Sequence, residues 1–316
     1  MTKRLIKAFR FFSACLVLVV LIMNDNNLNA KEVSWQMFLK SPNSSQFIDV
    51  DGIRTHYIEV GSGKPLLFIH GLGAWSYSWR KNLQYFADKG YKAIALDLKG
   101  FGLSGKPEPI DKDDYTVADQ ALFVKRFMEA LWIDKAHIIG NSMGGGIALF
   151  MAFLCPEKVD KLVIVDPICY KQQFPFLLWV AKAPLLGWLT EPFMGRMSVS
   201  MVLRQVYFDS SKLDKKTIKA YAIPLSMNGG KKAFRTSTAR LVPRNYEEVV
   251  SAYKQIKLPT LIVWGKGDAW VKPELGKRLK GDILGSKLIL LDQCGHMPME
   301  ECAEGFNSIV GSFLTP

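Results

Sequence analysis

Ser142 is the residue around which chemistry can be built. It stands in Gly140-Asn-Ser142-Met-Gly144, with the apolar run 136–139 leading in and a helical pattern over 145–154 leading out. Strand, sharp turn and helix in that order expose a serine above a sheet edge. The flanking glycines are needed because a Cβ at either position would meet neighbouring backbone. A serine hydroxyl is a weak nucleophile, so this reading demands a base, an acid to orient the base, and donors for an oxyanion.

The sequence holds four histidines: His56, His70, His137 and His296. His56 and His137 fall inside strand patterns and read as ordinary strand residues, and His70 ends a strand before the serine. His296 lies in Asp292-Gln-Cys-Gly-His-Met-Pro, a loop after the last strand fixed by Gly295 and Pro298. It is the candidate base, taking the Ser142 proton on attack and returning it to the leaving group. Asp268, in Trp264-Gly-Lys-Gly-Asp268 after the preceding strand, is the favoured orienting acid; Asp166, followed by Pro167, is the alternative. The expected oxyanion donors are the backbone N–H groups of Met143 and Leu72. Each such donor typically supplies about 3 kcal/mol of transition-state stabilisation. His70 and Gly71 would support the oxyanion loop, His70 bracing it through its ring rather than reacting.

These residues need a scaffold that brings them to one edge. Residues 47–50 and 53–60, joined by Asp51-Gly52, read as a hairpin. Short apolar runs at 65–69, 92–96, 136–139, 161–165, 260–264 and 287–291 read as strands buried on both faces. Helical spacing covers 117–131 and 274–283, closes the chain at 309–314, and is also expected from Trp75 through Trp79 and Leu83 to Phe86. Strands alternating with helices predict an α/β fold with a doubly wound, mainly parallel sheet. In such sheets functional groups gather beyond the carboxyl ends of the strands.

Gly100-Phe-Gly102-Leu-Ser-Gly105 spells a dinucleotide fingerprint, but Pro107, Pro109 and the acids Glu108, Asp111, Asp113 and Asp114 follow at once. That context opposes both the required helix and a bound phosphate, which excludes the oxidoreductase reading. The four cysteines beyond residue 30 match no zinc spacing and are too few for a disulfide scaffold. Buried free thiols are the default, with one disulfide open to an oxidising compartment.

Residues 1–30 stand apart. Lys3, Arg4, Lys7 and Arg10 precede the apolar run 11–23, and a polar stretch ends at Ala30. Thirteen residues are short of the about 20 that span a bilayer, so the layout predicts a signal peptide and an exported, periplasmic or secreted protein. The alternative is a membrane anchor formed by residues 11–23. The formal net charge is +12, and the excess is concentrated in residues 170–245, where 13 Lys and Arg face three acids.

Taken together, His70-Gly71-Leu72-Gly73, Asp97-x-x-Gly100-x-Gly102-x-Ser104, Gly140-Asn-Ser142-Met-Gly144-Gly145, Trp264-Gly-x-x-Asp268 and Gly295-His296 resemble the motifs of α/β-hydrolases of the bacterial esterase, lipase and haloperoxidase-like group. The resemblance covers residues 46–316. It implies an eight-stranded core built from 46–169 and 246–316, with a helical cap of residues 170–245 inserted after the sixth strand. Epoxide hydrolases and haloalkane dehalogenases of this fold use an aspartate nucleophile, and Ser142 argues against both.

The expected activity is therefore a serine hydrolase with a Ser142–Asp268–His296 triad, acting on carboxylic esters through an acyl-enzyme. Carbon–carbon bond hydrolysis, lactone hydrolysis and perhydrolysis are alternatives within the fold, and a non-catalytic ligand-binding member is the alternative of another class. The expected partner is a small, lipid-like ester preferring short to medium acyl chains. No cofactor, metal or nucleic acid is expected. The apolar stretch 174–195 would roof the pocket, and the basic cap could rest on an anionic membrane surface.

Overall fold

In a computed structural model the described residues are 44–172, 190–191 and 194–315. The leader or anchor expected in residues 1–30, and nearly all of the apolar stretch 174–195, lie outside them. Among the described residues no helix is long and apolar enough to cross a membrane.

The core is one eight-stranded sheet in the order β1-β2-β4-β3-β5-β6-β7-β8. The strands are β1 (Ser45–Val50), β2 (Ile53–Val60), β3 (Lys64–Ile69), β4 (Tyr91–Leu96), β5 (Ala136–Asn141), β6 (Val159–Val165), β7 (Thr260–Gly265) and β8 (Lys287–Leu291). β1 pairs antiparallel with β2, and β2 antiparallel with β4; every other pairing is parallel. Asp51 and Gly52 both take positive φ, 51° and 79°, as the tight turn of the first hairpin requires.

The central strands carry no polar face because both sides are covered. Ile138, Leu162, Ile164 and Ile262 point into one core; Ile139, Val163, Leu261 and Val263 point into the other. The first core is closed by α2 (Val117–Ala130) and α3 (Met143–Leu154). The second takes in Trp79, Phe86 and Phe306. Each fully buried aliphatic side chain contributes about 1.5–3 kcal/mol, so the two layers fix the strand register that aims the loops.

The helix expected through Trp75–Phe86 is broken. A 3-10 turn, Ser76–Trp79, is followed by a short α1 (Leu83–Ala87). The Ser78 hydroxyl donates to Trp75 O at 2.6 Å, a local bond that competes with helix. The fully buried Asn82 donates to Met299 O and Asn307 Oδ1. Satisfying these polar groups outweighs the apolar periodicity.

Between β6 and β7 the described chain forms α4 (Arg196–Val206), α5 (Lys215–Ser226), α6 (Gly230–Ala239) and α7 (Tyr246–Ala252). The first three lie in the segment 170–245 expected as a helical cap after the sixth strand, while α7 lies in the stretch expected to belong to the core. After β7 come α8 (Glu274–Asp282), β8, α9 (Pro298–Glu301) and α10 (Ala303–Leu314). Residues 105–110 carry no helix, so the glycine fingerprint opens none.

A disulfide joins Cys294 and Cys302, while Cys155 and Cys169 are free and buried. The free-thiol default therefore holds for one pair and is corrected for the other. The two bridged residues bracket the loop and short helix around His296, which brings them within reach of one another although the sequence could not pair them.

Candidate active site

Four neighbouring strands, β5 to β8, end at one edge and deliver the candidate residues. Ser142 follows β5 directly and has φ 56° and ψ −117°, a strained backbone for a residue with a side chain. A Cβ at Gly140 would collide with Gly144 O, and one at Gly144 with Ile69 O. The turn is thus as tight as the motif demands. Met143 begins α3, so its N–H has no partner one turn back within the helix.

His296, after β8, is 5% exposed and lines the same cavity as Ser142. Its Nδ1–H donates to Asp268 Oδ2 at 2.6 Å, which leaves Nε2 as the acceptor. Asp268 Oδ1 takes the Trp270 and Val271 N–H groups at 2.7 and 2.9 Å. The His296 backbone is fixed by its own N–H to Val206 O (2.7 Å) and by Asn141 Nδ2 to its carbonyl (3.1 Å). No hydrogen bond among the described residues joins Ser142 Oγ to His296. Such bonds are often long until substrate is seated.

On the other side of the serine, a Cβ at Gly71 would stand 3.1 Å from Ser142 Cβ, so the Gly71–Leu72 backbone abuts the nucleophile. His70 Nε2 accepts the Leu98 N–H at 3.0 Å, which assigns the ring proton to Nδ1, and Nδ1–H donates to Gly71 O at 2.8 Å. The ring is a strut between two loops. Burial holds it below the ordinary imidazole value, with Asp97 acting in the opposite direction, and the neutral form is the one both bonds require.

Asp166 directly follows β6 and, among the described residues, makes no hydrogen bond to His296; it accepts the Gly265 N–H at 3.0 Å. Donor atoms of Asp166, Asp268 and His296 all lie within 4.8 Å of one another. His56, read as an ordinary strand residue, is instead fully buried: its Nδ1 meets Asp97 Oδ2 at 2.7 Å and its Nε2 meets Ser45 Oγ at 2.9 Å. Burial works to raise the Asp97 carboxyl, but His56, His70 and the Leu103 N–H outweigh it and hold the group below the usual range.

Sequence reasoning missed Asn141, Trp270 and Glu301. Asn141 ties β5 to the His296 loop, and Trp270 stacks beside the His296 ring with centroids 6.3 Å apart. Glu301 Oε2 accepts from Gly295 and Phe208, and Oε1 from Asp209, binding the histidine loop to the cap. Only Asn141, inside the serine motif, carried a usable signal.

The cavity of about 320 Å³ runs from Ser142 and His296 up between the cap helices. Its described walls include Val199, Val202, Leu203, Leu225 and Phe234, and none of the described lining residues is Asp, Glu, Lys or Arg.

This sheet, elbow and cap define an α/β-fold hydrolase. The family model described as "alpha/beta hydrolase fold" matches residues 64–302, and the chain belongs to that family. It is 30% identical over 268 residues to an uncharacterized hydrolase, YugF, of Bacillus subtilis (strain 168), covering 84% of this chain and 96% of that protein. It is 28% identical over 287 residues to a 2-hydroxy-6-oxo-6-phenylhexa-2,4-dienoate hydrolase of Comamonas testosteroni, covering 87% and 98%. Among solved structures it resembles a membrane phospholipase A described as a novel bacterial virulence factor. There the identity is 26%, the TM-score 0.73, and the coverage 99% of this chain and 98% of that one.

Proposed function

We propose that the protein is a serine carboxylic-ester hydrolase acting on neutral, lipid-like esters. Ser142 attacks the ester carbonyl, and His296 Nε2 accepts its proton. Asp268 holds the imidazole and stabilises the imidazolium that forms. The Leu72 and Met143 N–H groups receive the oxyanion. His296 then protonates the leaving alcohol, and water, activated by the same base, releases the acid.

The observation that carries this reading is that none of the described cavity-wall residues is Asp, Glu, Lys or Arg. A dienoate of the kind named for the Comamonas relative brings a carboxylate with it. Seating that charge beside Val199, Leu203 and Phe234 with no described cation in the wall costs several kcal/mol. An ester with an apolar acyl chain brings no such cost and gains from burial. The likeness to the phospholipase supports the same choice. Carbon–carbon hydrolysis is the second reading, favoured by the named activity of the Comamonas relative.

A panel of p-nitrophenyl esters of increasing acyl length, run beside a 2-hydroxy-6-oxo-dienoate, separates the two. The expected result is ester turnover strongest at short to medium chains and negligible turnover of the dienoate. Efficient dienoate cleavage with poor ester turnover would overturn the ester assignment.

The outer face of α4 supports a membrane-surface role. Met197 and Met201 are 40% and 50% exposed, with the exposed Arg204 on the same side; Arg196 is exposed at the first residue of the helix, and Phe208, 55% exposed, lies just beyond its end. The opposite face supplies Val199, Val202 and Leu203 to the cavity. An apolar stripe flanked by basic residues suits an anionic lipid surface, where each nearby basic residue contributes about 1 kcal/mol. Export through residues 1–30, or anchoring by 11–23, belongs to the same proposal, and the Cys294–Cys302 disulfide supports an oxidising compartment.

A further inference from the structure

Asp166 is fully buried, directly follows the strand between those of Ser142 and Asp268, and is unused by the chemistry above. The two neighbouring carboxyl groups are unequally served. Asp268 receives three donors: the His296 Nδ1–H and the N–H groups of Trp270 and Val271. Asp166 receives one, from Gly265 to Oδ1, and its Oδ2 is buried without a donor among the described residues. Two buried carboxyls this close do not both ionise, and the proton settles on the one with fewer donors.

The backbone at Asp166 is also unusual. Its φ is 43°, in the left-handed region that costs a residue with a side chain about 1–2 kcal/mol. The conformation is pinned on both sides by Asp166 N–H to Val263 O (3.1 Å) and Ile168 N–H to Ser142 O (3.0 Å). The strained turn thus keeps its carboxyl beside the triad.

We propose that Asp166 is a positioning residue: it is held as the neutral acid, and its Oδ2 proton supports the neighbouring Asp268 carboxylate. Asp268 thereby keeps its charge and cannot swing aside as His296 becomes imidazolium. Burial first, then the Asp268 charge, push the Asp166 carboxyl well above the usual carboxylate range, against the opposing pull of the Gly265 N–H. Asp268 is the one charged neighbour acting on it among the described residues. The inference rests on the Ser142–Asp268–His296 reading.

The test uses the full-length enzyme. Difference infrared spectra of wild type and Asp166→Asn at neutral pH are expected to show a buried, protonated carboxyl C=O stretch that the variant lacks. This readout needs no turnover, so it can fail without touching the triad reading, which stands or falls on Ser142→Ala. Asparagine mimics the neutral acid, so Asp166→Asn is expected to keep kcat within roughly threefold and leave the acidic limb of kcat/KM unmoved. Asp166→Ala removes a hydrogen bond to a charged group and is expected to lower kcat on the order of tenfold at unchanged KM. Absence of the infrared band, or an acidic limb that moves to lower pH in Asp166→Asn because an anion beside His296 has been lost, would overturn the proposal. So would full kcat in Asp166→Ala.

Discussion

His70 and His137 are both held below the ordinary imidazole value of 6.5, chiefly by burial, and for His137 the value falls to about 4. Between those limits the unfolded chain binds protons that the folded chain refuses. Stability is therefore intact above 6.5 and is lost as pH falls towards 4. Urea midpoints measured across that window should decline in wild type and decline less steeply in His137→Phe; parallel slopes would contradict the assignment. Ser142, Asp268 and His296 were legible because each sits just past an apolar strand among glycines and prolines. His56 was not. Alternation can put a histidine on a strand, but its partner Asp97 lies 41 residues away and is visible only once β2 and β4 pair. Asn141, Trp270 and Glu301 were hidden for the same reason, since each acts through a contact between elements.

α9 is four residues long, yet it carries the link between core and cap. Glu300 pairs with Arg80 Nη1 at 2.6 Å and accepts from Tyr207 at 2.9 Å and from Tyr221, with both members of the ion pair buried. Tyr221 is also a cavity wall residue. Neutralising one partner leaves a buried charge uncompensated, so Glu300→Gln should cost about 3–5 kcal/mol in urea unfolding and raise KM. An unchanged midpoint would contradict a stabilising role for the Arg80–Glu300 pair between core and cap. The parallel strands were readable because burial on both faces leaves continuous apolar runs, as at β5, β6 and β7; β8 fell where its run lay but is the edge strand, and its residues are half-buried or exposed rather than covered on both faces. The broken helix at Ser76–Ala87 was not, because its apolar spacing is helical while Ser78 and Asn82 bind elsewhere. The cap was foreseen from a resemblance and from its charge, but its individual helices were not.

At the scale of the whole molecule, the basic charge and the cavity meet on one helix, α4. Wild-type protein should bind phosphatidylglycerol vesicles more tightly than phosphatidylcholine vesicles. The preference should fade with added salt and weaken in Met201→Ser and Arg204→Glu. Equal binding to both vesicle types at all salt concentrations would detach the cap from any membrane role. At the same scale, the sheet, the elbow and the cap are proposed to make Ser142 a nucleophile in a pocket whose described lining holds no Asp, Glu, Lys or Arg. Fluorophosphonate labelling of the folded protein, read by mass spectrometry, tests this most directly. One adduct is expected, on Ser142, with labelling and ester turnover both lost in Ser142→Ala and strongly slowed in His296→Ala. A folded protein that takes no label at Ser142, or turnover that survives Ser142→Ala, would contradict it.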